Sequence, residues 1–296
     1  MRILLTGRNG QVGFELQRAL APLGTVIALD RSGCDLEDEA SVRAAIRKAE
    51  PDVVVNPAAY TAVDRAESEA DRARAINALA PGIIGAEAAQ RGALVVHYST
   101  DYVFDGTAAG WYGEDAATGP QSVYGRSKLA GEEALASSGA RHLIFRTSWV
   151  FGAHGANFAR TMLRLAAERD ELKVVADQMG APTSAALIAD ITAHAIRQAA
   201  HGRDAVPDGV YHLAAGGETN WHAYACHVIE AARRAGRPVR VAADAILPIT
   251  TADYPTPARR PVNSRLDTAK LQKTFGLTLP HWQSGLDHVL QQIIRS

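Results

Sequence analysis

The sequence predicts an α/β protein, a doubly wound parallel sheet with a smaller C-terminal lobe, and three observations predict it. Short β-type runs alternate with alanine-rich stretches long enough to be crossover helices. Those runs are continuously apolar rather than alternating, as strands must be when helices cover both faces of a sheet. Beyond about residue 150 the alternation loosens, as it does where a second lobe begins.

Taken in order, the strands fall at 3–6, 26–30, 53–56, 94–99 and 143–146, and the first is followed by a helical run at 14–20. A helix at 157–169, a strand at 173–176, a helix at 187–200 and a strand at 210–214 come next. The proline-rich stretch 248–261 has little periodicity and reads as a loop folded over a site. The expected division puts 1–150 and about 183–215 in a cofactor-binding domain and about 151–182 and 216–296 in a substrate-binding lobe.

The first strand runs into Gly7, Gly10 and Gly13, spaced G-x-x-G-x-x-G, with Gln11 and Val12 opening the helix. Glycine serves there for a tight turn, for backbone approach to a pyrophosphate and for close helix packing, while the helix N-terminus offers unpaired N–H groups. The placement between strand and helix makes this a Rossmann-type dinucleotide site. Asp30 closes the second strand, where a carboxylate accepts from the adenosine ribose and favours NAD. Arg31 and Arg8 are suited to a 2′-phosphate, so NADPH and NADH both stay open. Asp35 and Leu36 are expected near the adenine, and Ala58, Ala59 and Tyr60 follow an inner strand where backbone passes the cofactor.

Tyr124 and Lys128 are four apart, hence on one face of a helix. An ammonium there favours phenolate, so the tyrosine can pass its proton to a carbonyl oxygen that receives hydride, and the same lysine can hold the nicotinamide ribose. Thr100, at the end of the fourth strand, is placed to hydrogen-bond that carbonyl.

Composition narrows the alternatives. The 31 basic and 32 acidic residues show no long runs, which argues against a nucleic-acid or anionic-membrane surface. Cys34 and Cys226 are too few for a disulfide framework and lack metal-ligand spacing, and no run is long enough to span a membrane, so a cytoplasmic enzyme is expected. The ten histidines, His97, His212 and His222 among them, show no ligand spacing and read as core or surface residues.

The run from Ser99 to Gly106, the segment Tyr124 to Glu132, the run Arg146-Thr147-Ser148-Trp149 and the stretch from Tyr254 to Pro261 together resemble the dTDP-4-dehydrorhamnose reductases. That family lies within the extended short-chain dehydrogenases/reductases, and the likeness spans nearly the whole chain. It implies NAD(P)H-dependent reduction of the 4-keto group of a dTDP-linked keto-deoxysugar to dTDP-L-rhamnose. Tyr124 would then be proton donor, Lys128 its partner and Thr100 the carbonyl ligand, with Asp101 and Trp149 lining the sugar site. Arg260, with Arg259, fits the substrate diphosphate or a structural salt bridge, and Trp149 fits packing as well as a site. Asn157 and Phe158 match a pair near the nucleotide, or a plain helix start.

Some relatives are described with magnesium held by glutamates at a dimer interface. Glu15 matches one such position but Ala186 stands at another, a departure that counts against a metal here. A homodimer stays open. So do two other functions: a non-catalytic subunit resembling the regulatory β subunit of methionine adenosyltransferase, and a reductase or epimerase of another nucleotide sugar.

Overall fold

The computed structural model of the chain describes residues 1–200 and 206–295, so 201–205 and 296, which fall within the two expected domains, lie outside the described residues. Neighbouring residues of one strand enter two different cores, as a sheet covered on both faces requires. In β1 (Arg2–Leu5), Ile3 and Leu5 join one core and Leu4 the other. With β2 (Thr25–Ala28) beside it, β3 (Val53–Asn56), β4 (Leu94–Thr100) and β5 (Arg141–Thr147) repeat the split: Val55, Val96 and Phe145 face one way, and Val54, Val95 and Ile144 the other.

Helices Gln11–Leu20 and Ala185–Ala199 cover the first face through Leu16, Leu20 and Ile188. Helices Glu39–Ala49, Ala80–Ala89 and Val123–Ala136 cover the second through Ile46, Ile84 and Leu135. Full burial of each such side chain stabilises by about 1.5–3 kcal/mol.

A sixth strand, Gly209–His212, completes a fully parallel sheet in the order Gly209–His212, β5, β4, β3, β1, β2. The fold is thus the doubly wound class that the sequence predicts. Chain order reverses between β1 and β3, so the loops leaving those two strands diverge and open a crevice at their carboxyl ends.

A third core gathers Phe151, Met162, Tyr224, Val228, Leu286 and Leu290. It lies among helices Phe158–Glu168, Trp221–Arg234 and Trp282–Arg295. The last two helices are not anticipated by the sequence reading, although their buried residues, such as Trp282, Leu286, Val289, Leu290 and Ile293, recur at helical spacing. Leu271, Phe275 and Leu279 lie in the stretch expected for the lobe but pack into the sheet's core.

The proline-rich stretch is not all loop. Ile246–Ile249 is a strand paired in parallel with Leu172–Val175, and Pro248 is tolerated because that sheet has only two strands. A turn of 3-10 helix follows at Thr251–Asp253, closed by reciprocal bonds between Thr250 and Asp253.

Candidate active site

The loop after β1 shows why two of its glycines are needed. Gly7 has φ +60, and a Cβ there would come within 2.8 Å of the Ala58 Cβ. A Cβ on Gly13 would lie 2.1 Å from the Gly7 carbonyl oxygen, so the helix packs directly on the turn. Gly10 meets neither constraint and stands at the helix N-terminus with no side-chain cap, which leaves nearby N–H groups available to an anion. Val12 packs on the core, and the Gln11 amide oxygen accepts from Asn157 Nδ2 at 3.1 Å.

Beside this loop a cavity of ≈ 340 Å³ brings together Gly7, Arg31, Asp35, Leu36 and Ala58 to Tyr60. Asp30 holds Ser32 through its backbone N–H and hydroxyl, which, with Arg8 at 3.1 Å, keeps its carboxyl below the usual range. The Arg31 guanidinium is shared between Asp35 (3.2 Å) and Glu37 (2.8 Å). Tyr60 is anchored by Asn77, whose amide accepts from Tyr60 N at 2.8 Å and donates to Tyr60 O and to Ser127 Oγ, both at 3.0 Å. Asn77 thereby ties the loop after β3 to the helix carrying Tyr124 and Lys128; a buried asparagine within an alanine-rich helical stretch was the one sequence signal for it.

That helix starts at Ser122, whose hydroxyl accepts from Gly125 N at 3.1 Å. Tyr124 shares a hydrogen bond with Thr100, and its ring meets Tyr102 edge-on at 5.5 Å. Burial pushes the Tyr124 phenol above its ordinary range, and the Thr100 bond offsets this only in part. This runs against the sequence expectation that the nearby ammonium lowers it: burial acts first, and Asp101 and Tyr102 push the same way. A phenol so placed stays protonated at neutral pH, the form that a reduction consumes.

Lys128 is 2% exposed, and burial pulls its pKa down to about 8 against the opposing pull of Glu132. Its Nζ lies 3.1 Å from His97 Nε2. The sequence treats His97 as an ordinary core residue, and nothing in its spacing points to Lys128.

Asp101 is buried, and that burial raises its carboxyl to about 6 although Ser264 and Thr100 bond to it. Its Oδ2, Thr147 Oγ1 and Ser99 Oγ are buried without a hydrogen-bond partner among the described residues. All three belong to the carboxyl ends of β4 and β5 or the residue just beyond. Such atoms are rare in native interiors and gather where a ligand's polar groups would complete them.

Beyond Tyr102 opens a cavity of ≈ 460 Å³ walled by Trp149, Trp221, Phe158 and Met162, with Arg260 and Lys173 also lining it. Trp149 adopts φ +48, rare for a bulky residue, and stacks on Trp221 at 3.8 Å between centroids. Gly180 also lies against the indole, where a Cβ would come within 2.7 Å of it. Trp221 donates to Gln178 Oε1 at 3.0 Å; neither residue is singled out by sequence, since they join Trp149 only through the tertiary fold. Arg260 donates to Asp64 (2.6 Å) and to the Tyr102 hydroxyl (3.1 Å), whereas Arg259 reaches only Gln121.

The model of the family described as RmlD substrate binding domain matches residues 1–295. A dTDP-4-dehydrorhamnose reductase from Shigella flexneri is 54% identical over 99% of this chain and 98% of its own length. The chain belongs to the dTDP-4-dehydrorhamnose reductase family. A crystal structure of a dTDP-4-dehydrorhamnose reductase from Clostridium acetobutylicum superposes with TM-score 0.89 at 36% identity, covering 98% of this chain and 99% of that one. Another from Bacillus anthracis, in complex with NADP, gives TM-score 0.87 at 34% identity with the same coverage.

At the position weighed for a metal, Glu15 faces a cation of its own chain. Glu15 pairs with Arg18 at 3.6 Å, and the same guanidinium holds Asp190 at 2.9 Å. Among the described residues no three His, Cys, Asp or Glu side chains gather where they could hold an ion.

Proposed function

We propose that this chain reduces the 4-keto group of dTDP-4-dehydro-6-deoxy-L-mannose to give dTDP-L-rhamnose, using NADPH, with NADH as the second candidate. The observation that carries this reading is that Thr100, at the end of β4, bonds to Tyr124, which lies one turn before the buried Lys128 on the same helix. Family membership supports the same reading, and so does the NADP bound to the Bacillus anthracis relative.

In this reading Gly7, Gly10, Gln11 and Val12 receive the pyrophosphate, and Asp30, Arg31, Asp35 and Leu36 the adenosine end. Ala58, Ala59 and Tyr60 form the inner wall, while Tyr124 and Lys128 meet the nicotinamide ribose. The bound cofactor supplies the hydride. Tyr124 gives its phenolic proton to the carbonyl oxygen as that oxygen gains charge, and Lys128 stabilises the phenolate left behind. Thr100 turns its hydroxyl from Asp101 to the same oxygen and orients it.

Asp101 then has a carboxylate oxygen for a sugar hydroxyl, Trp149 lines the wall against which the sugar lies, and Arg260 exchanges Asp64 for the diphosphate. Two domains divided as the sequence suggests would put the cofactor on the sheet and the nucleotide sugar against the lobe. No helix among the described residues is long and apolar enough to cross a membrane, and a cytoplasmic location is part of the proposal.

The test is absorbance of the reduced nicotinamide while purified protein meets NADPH, then NADH, with dTDP-4-keto-L-rhamnose. Substrate-dependent loss of signal with dTDP-L-rhamnose as product is expected, faster with NADPH. Binding of both cofactors without any oxidation would overturn the reading.

A further inference from the structure

Thr6, Asn56 and His97 stand side by side across three neighbouring strands. Parallel pairing sets Asn56 opposite His97, and Thr6 follows Leu5, whose partner is Val55. All three are at most 2% exposed. Thr6 Oγ1 lies 2.6 Å from Asn56 Oδ1, Asn56 Nδ2 3.2 Å from His97 Nδ1, and His97 Nε2 3.1 Å from Lys128 Nζ. A buried polar row therefore begins under the glycine loop and ends on the lysine of the proposed reductase, and no step above uses it.

Burial first, and the charge of Lys128 second, hold His97 well below its ordinary pKa, so the ring is neutral with one nitrogen donating and the other accepting. Two proton arrangements then fit the same heavy atoms. With Lys128 as ammonium, it donates to Nε2; Nδ1–H donates to the Asn56 amide oxygen, and the Asn56 NH₂ donates to Thr6 Oγ1. With Lys128 as amine, Nε2–H donates to its lone pair; Nδ1 accepts from the Asn56 NH₂, and the amide oxygen accepts from the Thr6 hydroxyl. The two differ by one proton lost from lysine, a change of imidazole tautomer and a half-turn of the asparagine amide, whose O and N are not told apart by position. Neither sets a donor against a donor, which in so dry a place would be costly.

We propose that His97 is a positioning residue for Lys128: its Nε2 is the acceptor that keeps the buried ammonium charged and aimed, and its tautomer, steadied by Asn56 and Thr6, switches when the lysine loses a proton. The other groups around the lysine leave that task to His97. Glu132 faces it from its own helix and favours the ammonium, but is itself paired with Arg146 of β5. Tyr124 lies one turn before it, and Asp101 and Tyr102 of the turn after β4 act on Tyr124. From Ala75–Leu79 the polar neighbour is the uncharged Asn77. From the short helices before it, Glu67 is engaged by Val123 N, Asp64 by Arg260, and Glu69 and Arg72 by each other.

The inference rests on the reductase reading for why the lysine's charge matters, but its first test does not. In the full chain with ¹⁵N-labelled histidine, NMR should show His97 protonated on Nδ1 and bare on Nε2 at neutral pH. The proton should cross to Nε2 as pH passes the ionisation of Lys128, and should not cross there in Lys128→Met. An Nε2–H tautomer at neutral pH, or a tautomer indifferent to the lysine, overturns the proposal whether or not the protein is a reductase.

The second test reads turnover against pH. Without an acceptor the ammonium is less stable, so His97→Leu should move the alkaline limb of kcat to lower pH by about one unit, a tenfold change in the lysine's ionisation constant. His97→Gln, whose amide oxygen can stand near the place of Nε2, should restore it. An unmoved limb in the leucine variant refutes the role; should that variant not fold, the NMR result on the native chain decides.

Discussion

Lys128 and Glu132 lie one turn apart on the helix Val123–Ala136, 2% and 4% exposed, and the protein treats the two buried charges in opposite ways. Glu132 receives the Arg146 fork, with Nε at 3.0 Å and Nη2 at 2.7 Å, and the guanidinium also lies 5.1 Å from the centre of the Phe104 ring. Lys128 is given a neutral imidazole instead of a carboxylate, and burial drags its pKa down to about 8. A charge answered by a fixed opposite charge chiefly holds the helix to β5, although Glu132 also favours the Lys128 ammonium. One left partly unanswered retains its field for a group that changes charge, and Tyr124, one turn away, is such a group. The same helix thus carries a structural charge and a working one.

The largest effect should come from cutting the working side. Tyr124→Phe removes the proton donor for which Lys128 is kept charged, and turnover should fall by about 10²–10⁴ while NADPH affinity stays near native. Steady-state kinetics alongside fluorescence titration of the cofactor checks both halves. Near-native turnover would mean that Lys128 serves some other group, and the comparison would lose its functional pole.

The structural side should fail in stability rather than chemistry. Glu132→Gln leaves Arg146 buried with no counter-charge, which should cost about 3–5 kcal/mol of unfolding free energy in denaturant titrations. Turnover per folded molecule should fall far less than in Tyr124→Phe.

Lys128→Met sharpens the contrast by changing the sign. The lysine's folded value of about 8 lies below its ordinary 10.5, so the unfolded chain binds more protons between those values and native stability rises with pH across that window. Below it the whole penalty is present. Methionine removes that penalty, so the variant should be more stable than the native protein at neutral pH by on the order of 3 kcal/mol, and inactive. The gain should shrink as pH rises above about 8. Thermal unfolding across pH would show this, and a destabilised variant at neutral pH would place Lys128 with Glu132 as a structural charge.

What the sequence discloses of this arrangement follows from distance along the chain. The glycine loop, the hydroxyl closing β4 and the Tyr124–Lys128 spacing are local patterns fixed by one turn or one helix face, and the parallel sheet follows from repeated apolar runs. His97, Asn56 and Thr6 become neighbours only once three strands pair in register, across sequence separations of 41 and 50 residues. Trp221 reaches Trp149 only in the tertiary fold, across a sequence separation that no local pattern bridges. The local pattern also misjudges Tyr124: spacing shows a lysine one turn away, but not the burial that raises the phenol.

Asp101 supplies the smallest and most demanding test, because it is a buried acid that sides with Lys128 rather than Glu132. Among the described residues it has no cationic partner and one unpartnered oxygen, and burial lifts it from 3.8 to about 6. The native state therefore holds more protons than the unfolded chain between those values, so stability is lost as pH climbs through them and the loss is complete above about 6. Asp101→Asn should abolish this dependence. Its advantage should be absent near pH 3.8 and grow to about 1–2 kcal/mol at neutral pH, because the weaker bonds from Thr100 and Ser264 to a neutral amide offset part of the gain. Calorimetry of both proteins through that range decides the matter. A difference that stays flat with pH would mean that the acid is paired in solution, and that Lys128 alone bears the cost of the working side.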